Sequence, residues 1–340
     1  MKILTFGEPL LRLKPPDHLR IAQAASFEAA YGGAEANAAV SLALLGDDAA
    51  YLTKLPANPL GDAVLGSLRR FGVDTSRILR GGPRLGVYYF EKGTDLRPAS
   101  VVFDRAGSSA ATAKRGEFDW PALLDGIGCF YFSGITPAVS GELAGAVEDA
   151  VSCCRRLGIP VVCDLNYRAK LWAPEKARAV MTGLMESVDV CLANDEDFNA
   201  SLGIRAFDGD LSHCIDQADS FRAAMREITK TFPHCGTVAS ILRNARSTEE
   251  GDWMAILLRD GRFYETPVRR VRAMEGVGAG DAFGAALTHC LLRGDGPQDT
   301  IDFAFAASLL KLTVAGDQNL VGEAEIRSVM KKSGGSSFRR

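Results

Sequence analysis

Three glycines in five positions precede an acid near the C-terminal end of the chain, in Gly276-Val277-Gly278-Ala279-Gly280-Asp281-Ala282-Phe283. The small apolar run Gly284-Ala285-Ala286-Leu287 that follows reads as the beginning of a helix. Glycine puts no Cβ between the backbone and a ligand. The amides of Gly278, Ala279 and Gly280 would stand at the helix N-terminus, where orphan N–H groups and the helix dipole favour an anion. Asp281 is then either an ordinary first-turn acid or a carboxylate beside an anion hole. In the second case it is a general base for a hydroxyl attacking a phosphoryl group.

Other residues could complete such a reaction. Phosphoryl transfer needs charge neutralisation, and Mg2+ prefers oxygen ligands with several waters retained. Asn194-Asp195-Glu196-Asp197 offers oxygens at the end of an apolar strand, and equally reads as a helix N-cap with acids in its first turn. Arg105 and Arg168 each follow a strand-like run. A guanidinium fork pairs with a carboxylate in bidentate geometry, so two of them suit an acidic substrate better than a neutral one. The plain alternative is two salt-bridging surface arginines. Gly32-Gly33-Ala34-Glu35-Ala36-Asn37 opens a small-residue helix, which by itself reads as close helix–sheet packing.

The totals exclude other classes. The chain has 340 residues, 47% of them apolar, a size that a single α/β unit can reach. A net charge of −3 lacks the bulk basic field of a nucleic-acid binder. Met1-Lys2-Ile3-Leu4 is charged too early for a signal peptide, and no apolar run spans a bilayer. The eight cysteines form no Cys-x-x-Cys pair and do not cluster with the four histidines, which argues against zinc and for a reducing cytoplasm. No membrane or nucleic-acid partner is expected.

The elements that must position these residues alternate. Strands are expected at 3–6, 49–53, 129–135, 160–166, 188–193, 237–242, 253–258 and 263–266, and helices at 62–71, 143–157, 174–187, 220–232, 297–315 and 323–332. Residues 58–61 read as a loop and 203–219 as an irregular segment. Such alternation predicts a mostly parallel sheet with helices on both faces and ligands beyond the strands' carboxyl ends. Two excursions, about 11–31 and 84–106, predict a small β-sheet beside it. Residues 1–335 then form one domain, with a tail at 336–340.

With these motifs in view, Gly278-Ala279-Gly280-Asp281-Ala282-Phe283 resembles the C-terminal signature of the ribokinase-like (PfkB-type) carbohydrate kinases. The resemblance implies a three-layer α/β/α domain with a β-sheet lid. In that family the aspartate takes the proton from the sugar hydroxyl, and the glycine-turn amides stabilise the phosphoryl group in flight. The glycine pair and asparagine of the family's N-terminal signature fall on Gly32, Gly33 and Asn37. Thr5-Phe6-Gly7-Glu8, Thr53-Lys54-Leu55-Pro56, Phe132-Ser133-Gly134-Ile135 and Asp164-Leu165-Asn166-Tyr167-Arg168 further resemble the 2-keto-3-deoxygluconate kinases, from residue 1 to about 320. That likeness implies a keto-acid held by Gly33, Tyr88 or Tyr89, Arg105 and Arg168. ATP would be held at Asn166, Arg168, Asn194, Arg243, Gly278 and Gly280, and Mg2+ through water at Asn194 and Asp197. A monovalent cation such as K+ is a further cofactor the resemblance raises, and a homo-oligomer built through the lid is implied.

The chain also departs from the family pattern. Ser240-Ile241-Leu242-Arg243-Asn244-Ala245-Arg246 stands where a Thr-x-Gly-x-x-Gly loop is usual, so Arg243 is the candidate phosphate contact. The signature acid at 197 is an aspartate where the family has glutamate, and 316–319 lack the usual adenine-loop pattern. The expected activity is ATP-dependent phosphorylation of a sugar acid to its 6-phosphate. A neutral-sugar or nucleoside kinase, or a non-catalytic sugar-acid sensor, are the competing expectations. Gly7-Glu8-Pro9 after the first strand argues against a dinucleotide-binding turn.

Overall fold

A computed structural model describes residues 1–194 and 196–330; Asp195 and the expected tail lie outside the described residues, as does the end of the helix expected at 323–332. The chain opens with β1 (Lys2–Phe6) and leaves for an excursion through β2 (Leu10–Lys14) and β3 (Glu28–Gly32). It returns as α1 (Ala34–Leu44) and β4 (Asp48–Leu52). The short strands β5 (Lys54–Leu55) and β6 (Leu79–Arg80) pair around α2 (Pro59–Arg69). A second excursion holds β7 (Gly86–Glu91) and β8 (Ser100–Asp104), followed by α3 (Trp120–Leu123). Then come β9 (Ile127–Ser133), α4 (Ile135–Val139), α5 (Gly141–Leu157), β10 (Val161–Asp164), α6 (Pro174–Met185), β11 (Val190–Leu192), α7 (Asp197–Leu202) and α8 (Ala218–Thr231). The last part contains β12 (Thr237–Ala245), β13 (Glu250–Arg259), β14 (Arg262–Glu265), β15 (Arg269–Arg272), α9 (Ala279–Arg293), α10 (Pro297–Lys311) and α11 (Glu323–Met330).

The main sheet runs β14-β13-β12-β11-β10-β9-β1-β4, with β15 also pairing β13. From β12 to β4 the strands are parallel, and β13, β14 and β15 turn back antiparallel at one edge. Buried parallel strands need apolar residues on both faces, and β9 supplies them. Phe130 and Phe132 join Leu4, Phe6 and residues of α5, α6 and α8 on one face, while Cys129 and Tyr131 join Ile3 and residues of α1, α9 and α10 on the other. The two excursions make a separate sheet in the order β3-β2-β7-β8, and this is the expected small β-sheet.

Several boundaries differ from expectation. Residues 58–61 are not a loop. Asn58 caps α2, its side chain accepting from the amides of Leu60 and Gly61, and Pro59 suits the first helical turn because its missing N–H would be an orphan there. The strand expected at 237–242 is longer than expected: β12 runs on to Ala245 as one arm of a long hairpin with β13. The helix expected at 297–315 stops at Lys311. Strand β15 was not expected, because Arg269-Arg270-Val271-Arg272 has no apolar face and takes its ladder from β13.

Candidate active site

The parallel strands deliver their carboxyl ends to one cleft of about 690 Å3, between the main sheet and the small one. β1 contributes Glu8 just past its end, β10 contributes Asp164 and the loop with Asn166 and Arg168, and β11 contributes Asn194. α9 points its N-terminus at the same space. Gly278 is its N-cap at φ +81°, a left-handed value where glycine is favoured. A Cβ there would also overlap the carbonyl of Asp317. The first helical bond runs from the Ala282 amide to the Gly278 carbonyl at 3.0 Å. The amides of Gly280 and Asp281 therefore have no acceptor within the helix, whereas that of Ala279 reaches back to Gly276 at 3.4 Å.

Asp281 faces the cleft from this first turn, 9% exposed. The Asn37 side-chain amide donates to its Oδ2 at 2.7 Å. Burial pushes its pKa up to about 7, opposed by the Asn37 hydrogen bond and the Arg168 charge and assisted by Glu35 and Asp317. A carboxylate poised near neutrality is what a general base requires. Asn37 keeps its own buried Oδ1 without a partner among the described residues, an acceptor facing the cleft. Glu35 braces this corner: its carboxylate accepts from the Ser133 amide at 3.1 Å, the Ser133 hydroxyl at 2.6 Å and the Thr136 hydroxyl at 2.8 Å. These bonds tie the start of α1 to the end of β9.

The two expected arginines reach the cleft from different walls. Arg105 follows β8, and its Nε (at 2.8 Å) and Nη2 both donate to Glu8 Oε2. Glu8 is 3% exposed, and its other oxygen accepts from the Ser108 hydroxyl at 2.5 Å. One edge of the guanidinium is thus fixed to the protein, and Nη1 is left for a ligand. Arg168 donates from Nη1 to the Tyr167 carbonyl at 3.0 Å and has no ion pair among the described residues. Beside it Asn166 holds φ +39° and donates to Asp164 Oδ2 at 3.1 Å. A non-glycine residue in that region is strained, and such strain clusters at ligand clamps.

The lid tyrosines require a correction. Tyr88 lines the cleft, but its hydroxyl donates to Asp317 Oδ2 at 2.5 Å, so its ring rather than its hydroxyl meets a ligand. Tyr89 lies on the opposite face of β7, edge-on to Phe27 at 5.9 Å, because neighbouring strand residues point to opposite sides. It does not line the cleft. Phe103, opposite Tyr88 on β8, takes the second aromatic place, with ring centroids 5.8 Å apart.

The residues expected to hold the metal brace the backbone. Asn194 Oδ1 accepts from the Ile241 amide at 2.8 Å. The Asp197 oxygens accept from the amides of Tyr167 at 2.7 Å and Asn194 at 2.9 Å. These bonds lock the loops after β10 and β11 together. Glu196, an acid among the described residues of this stretch, is exposed and lines the cleft. Deeper in, Asp164 has a buried Oδ1 without a partner among the described residues, and burial with the nearby charges of Asp197 and Asp281 pushes its pKa well up. Arg243, the expected phosphate contact, stacks over the Trp253 ring at 5.6 Å and both line the cleft. Gly32 and Gly33 line it too, where Gly32 lies against the Asp317 carboxylate with no room for a Cβ.

Sequence reasoning missed Arg12, Glu275, Lys311 and Asp317, a buried group of charges linking the small sheet to the glycine turn. Arg12 donates to Asp317 Oδ1 at 2.5 Å, pairs with Glu275 and lies over the Phe90 ring at 4.4 Å. The available signals were Arg12 on the same strand face as Leu10, and Lys311 inside Leu309-Leu310-Lys311-Leu312.

The profile of the pfkB family carbohydrate kinases matches residues 2–323. A 2-dehydro-3-deoxygalactonokinase of Haloferax volcanii is 34% identical over 331 residues, covering 97% of this chain and 96% of that protein. A 2-dehydro-3-deoxygluconokinase of Thermoproteus tenax is 25% identical, over 93% and 90% of the two chains. The crystal structure of a 2-dehydro-3-deoxygluconokinase from Thermotoga maritima superposes with a TM-score of 0.93 at 44% identity, over 98% of this chain and all of that one.

Proposed function

The chain belongs to the pfkB family of carbohydrate kinases, and from that premise we propose that it transfers the γ-phosphoryl group of ATP to the terminal hydroxyl of a 2-keto-3-deoxy sugar acid. The gluconate-derived epimer is the first choice and the galactonate-derived one the second, in keeping with the relatives' activities. One observation carries the reading: a carboxylate held near neutrality at the start of α9, facing a cleft with guanidinium groups on two of its walls.

In this reading the keto-acid lies over Gly33, between the Tyr88 and Phe103 rings and the loop after β10. Its carboxylate meets Nη1 of Arg105 and the guanidinium of Arg168. Asn37 orients Asp281 through Nδ2 and accepts a substrate hydroxyl at Oδ1. Asp281 takes the proton of the attacking hydroxyl. The free amides of Gly280 and Asp281 stand where charge develops on the transferred group, a donor arrangement whose removal costs on the order of 10²–10³ in rate in other enzymes. Arg243 and Trp253 border the nucleotide. Magnesium supplies charge neutralisation on the nucleotide phosphates. Asp164 Oδ1 and Glu196 fit its bound waters better than Asn194 and Asp197, whose oxygens already hold backbone amides.

Residues 1–335 act as one kinase unit with the small sheet as its lid. Of that sheet's two edge strands, β3 and β8, the second leaves Val102 53% exposed, which suits contact with a second copy of the chain. No helix among the described residues is long and apolar enough to cross a membrane, and the eight cysteines are free and buried, which suits a cytoplasmic enzyme.

The test is Asp281→Asn. It removes the base and keeps the shape, so kcat falls by roughly 10²–10⁴. Turnover within a few-fold of wild type would remove Asp281 from the mechanism.

A further inference from the structure

Lys311 is the last residue of α10, and none of its surface reaches solvent. A buried ammonium is costly unless it is compensated. Its Nζ donates to the Val314 carbonyl at 2.9 Å. Burial lowers its pKa, while Glu275 and Asp317 support its charge. It lies directly under the phosphate turn: its Cε is 3.3 Å from where a Cβ on Gly278 would stand, and the Asp317 carbonyl packs against the same glycine. Glu275 immediately precedes the turn.

The charges beneath the turn are therefore closed. Glu275 and Asp317 supply two negative charges, and Arg12 and Lys311 supply two positive ones. All four side chains are at most 4% exposed. A free monovalent cation here would seek the same carboxylate and carbonyl oxygens. It would find the carboxylates already neutralised and the Val314 carbonyl holding an ammonium. The residues present do not fit the K+ that the resemblance raised.

We infer that Lys311 supplies, from within the chain, the fixed positive charge that props the glycine turn, and that nucleotide binding and turnover need no free monovalent cation. A lysine ammonium is a compact point charge, chemically alike to NH4+ and similar in size to K+. It acts as a positioning residue: it holds the loop after α10 against Gly278 and biases the turn toward anions, without touching the substrate. The inference rests on the turn as the phosphate site and not on the identity of the sugar.

The experiment reads Mg-ADP affinity by calorimetry and turnover with ATP, each in choline, K+ and NH4+ buffers at matched ionic strength. Wild type should give the same values in all three. Lys311→Met, in choline, should bind Mg-ADP roughly ten- to a hundredfold more weakly, and K+ or NH4+ should restore a clear part of the loss. Wild-type affinity or turnover that climbs with K+ would overturn the inference. So would a Lys311→Met protein that binds normally in choline, or one with a native melting transition whose loss no small cation repairs. Should Lys311→Met fail to fold, the wild-type cation series decides alone. Nucleotide binding is read without any sugar, so a wrong sugar assignment leaves this outcome intact.

Discussion

Residue-level chemistry centres on Asp281, whose folded pKa of about 7 lies above the usual carboxylate value. The base form is needed for proton abstraction, so kcat/KM for the sugar should rise with pH along a limb near 7 in the free enzyme. A flat profile from pH 5.5 to 8 would contradict the assignment. The same shift has a stability consequence. Between the ordinary carboxylate pKa and the folded one, the native state binds more protons than the unfolded chain, so this group's contribution to stability falls as pH rises through that window. Asp281→Asn should therefore melt higher than wild type at pH 8 and lose that advantage near pH 4. The arginines separate in a similar way. Replacing either by methionine removes a charge-assisted contact of about 1.5–3 kcal/mol and should raise the keto-acid KM about ten- to a hundredfold. Arg105→Met also leaves the buried Glu8 without its cation and should lower the melting temperature, whereas Arg168→Met, which breaks no ion pair among the described residues, should lower it less, only through the support its charge gives Asp164 and Asp281. Asp281 could be read from its glycine turn, whereas Asn37, Arg105 and Arg168 were singled out through the resemblance; all four line the cleft. Glu8, Arg12 and Asp317 were not legible, because their partners lie 97 and 305 residues away in sequence.

Elements place these groups through their ends. α9 must start at a left-handed residue pressed against the loop after α10, and Gly278 meets both conditions. Gly278→Ala strains φ and collides with the Asp317 carbonyl, so it should cost both stability and Mg-ADP affinity, read by melting and calorimetry. A variant that binds and melts as wild type would show that the turn is looser than drawn. Away from the site, Asn58→Ala removes the cap of α2 and should cost about 1 kcal/mol with kcat unchanged. Helices with a clear polar face, such as α5, were readable nearly to their ends, and so were the apolar parallel strands. The continuation of β12 past Leu242 was not. Arg243 and Asn244 look like loop residues until Trp253 and Asp252 pair with them across the hairpin. Likewise Tyr88 and Tyr89 are adjacent and equivalent in sequence, and only the pleat of β7 separates the ring in the cleft from the ring behind it.

Across the whole molecule, one sheet gathers acids at its carboxyl edge and a second sheet closes over them with aromatic rings and Arg105. The layers were foreseeable from the alternation of elements, and the small sheet from the two excursions that interrupt it. The buried charges that couple lid to turn were not, since they arise only when β2, β7 and the loop after α10 meet. The most direct test of the account is ADP release with Mg-ATP against 2-keto-3-deoxygluconate, 2-keto-3-deoxygalactonate, fructose, ribose and adenosine. Turnover confined to the two keto-acids is the predicted result. Equal or faster turnover of a neutral sugar or of adenosine would contradict the roles given to Arg105 and Arg168, and keto-acid binding without any ADP release would contradict the kinase itself.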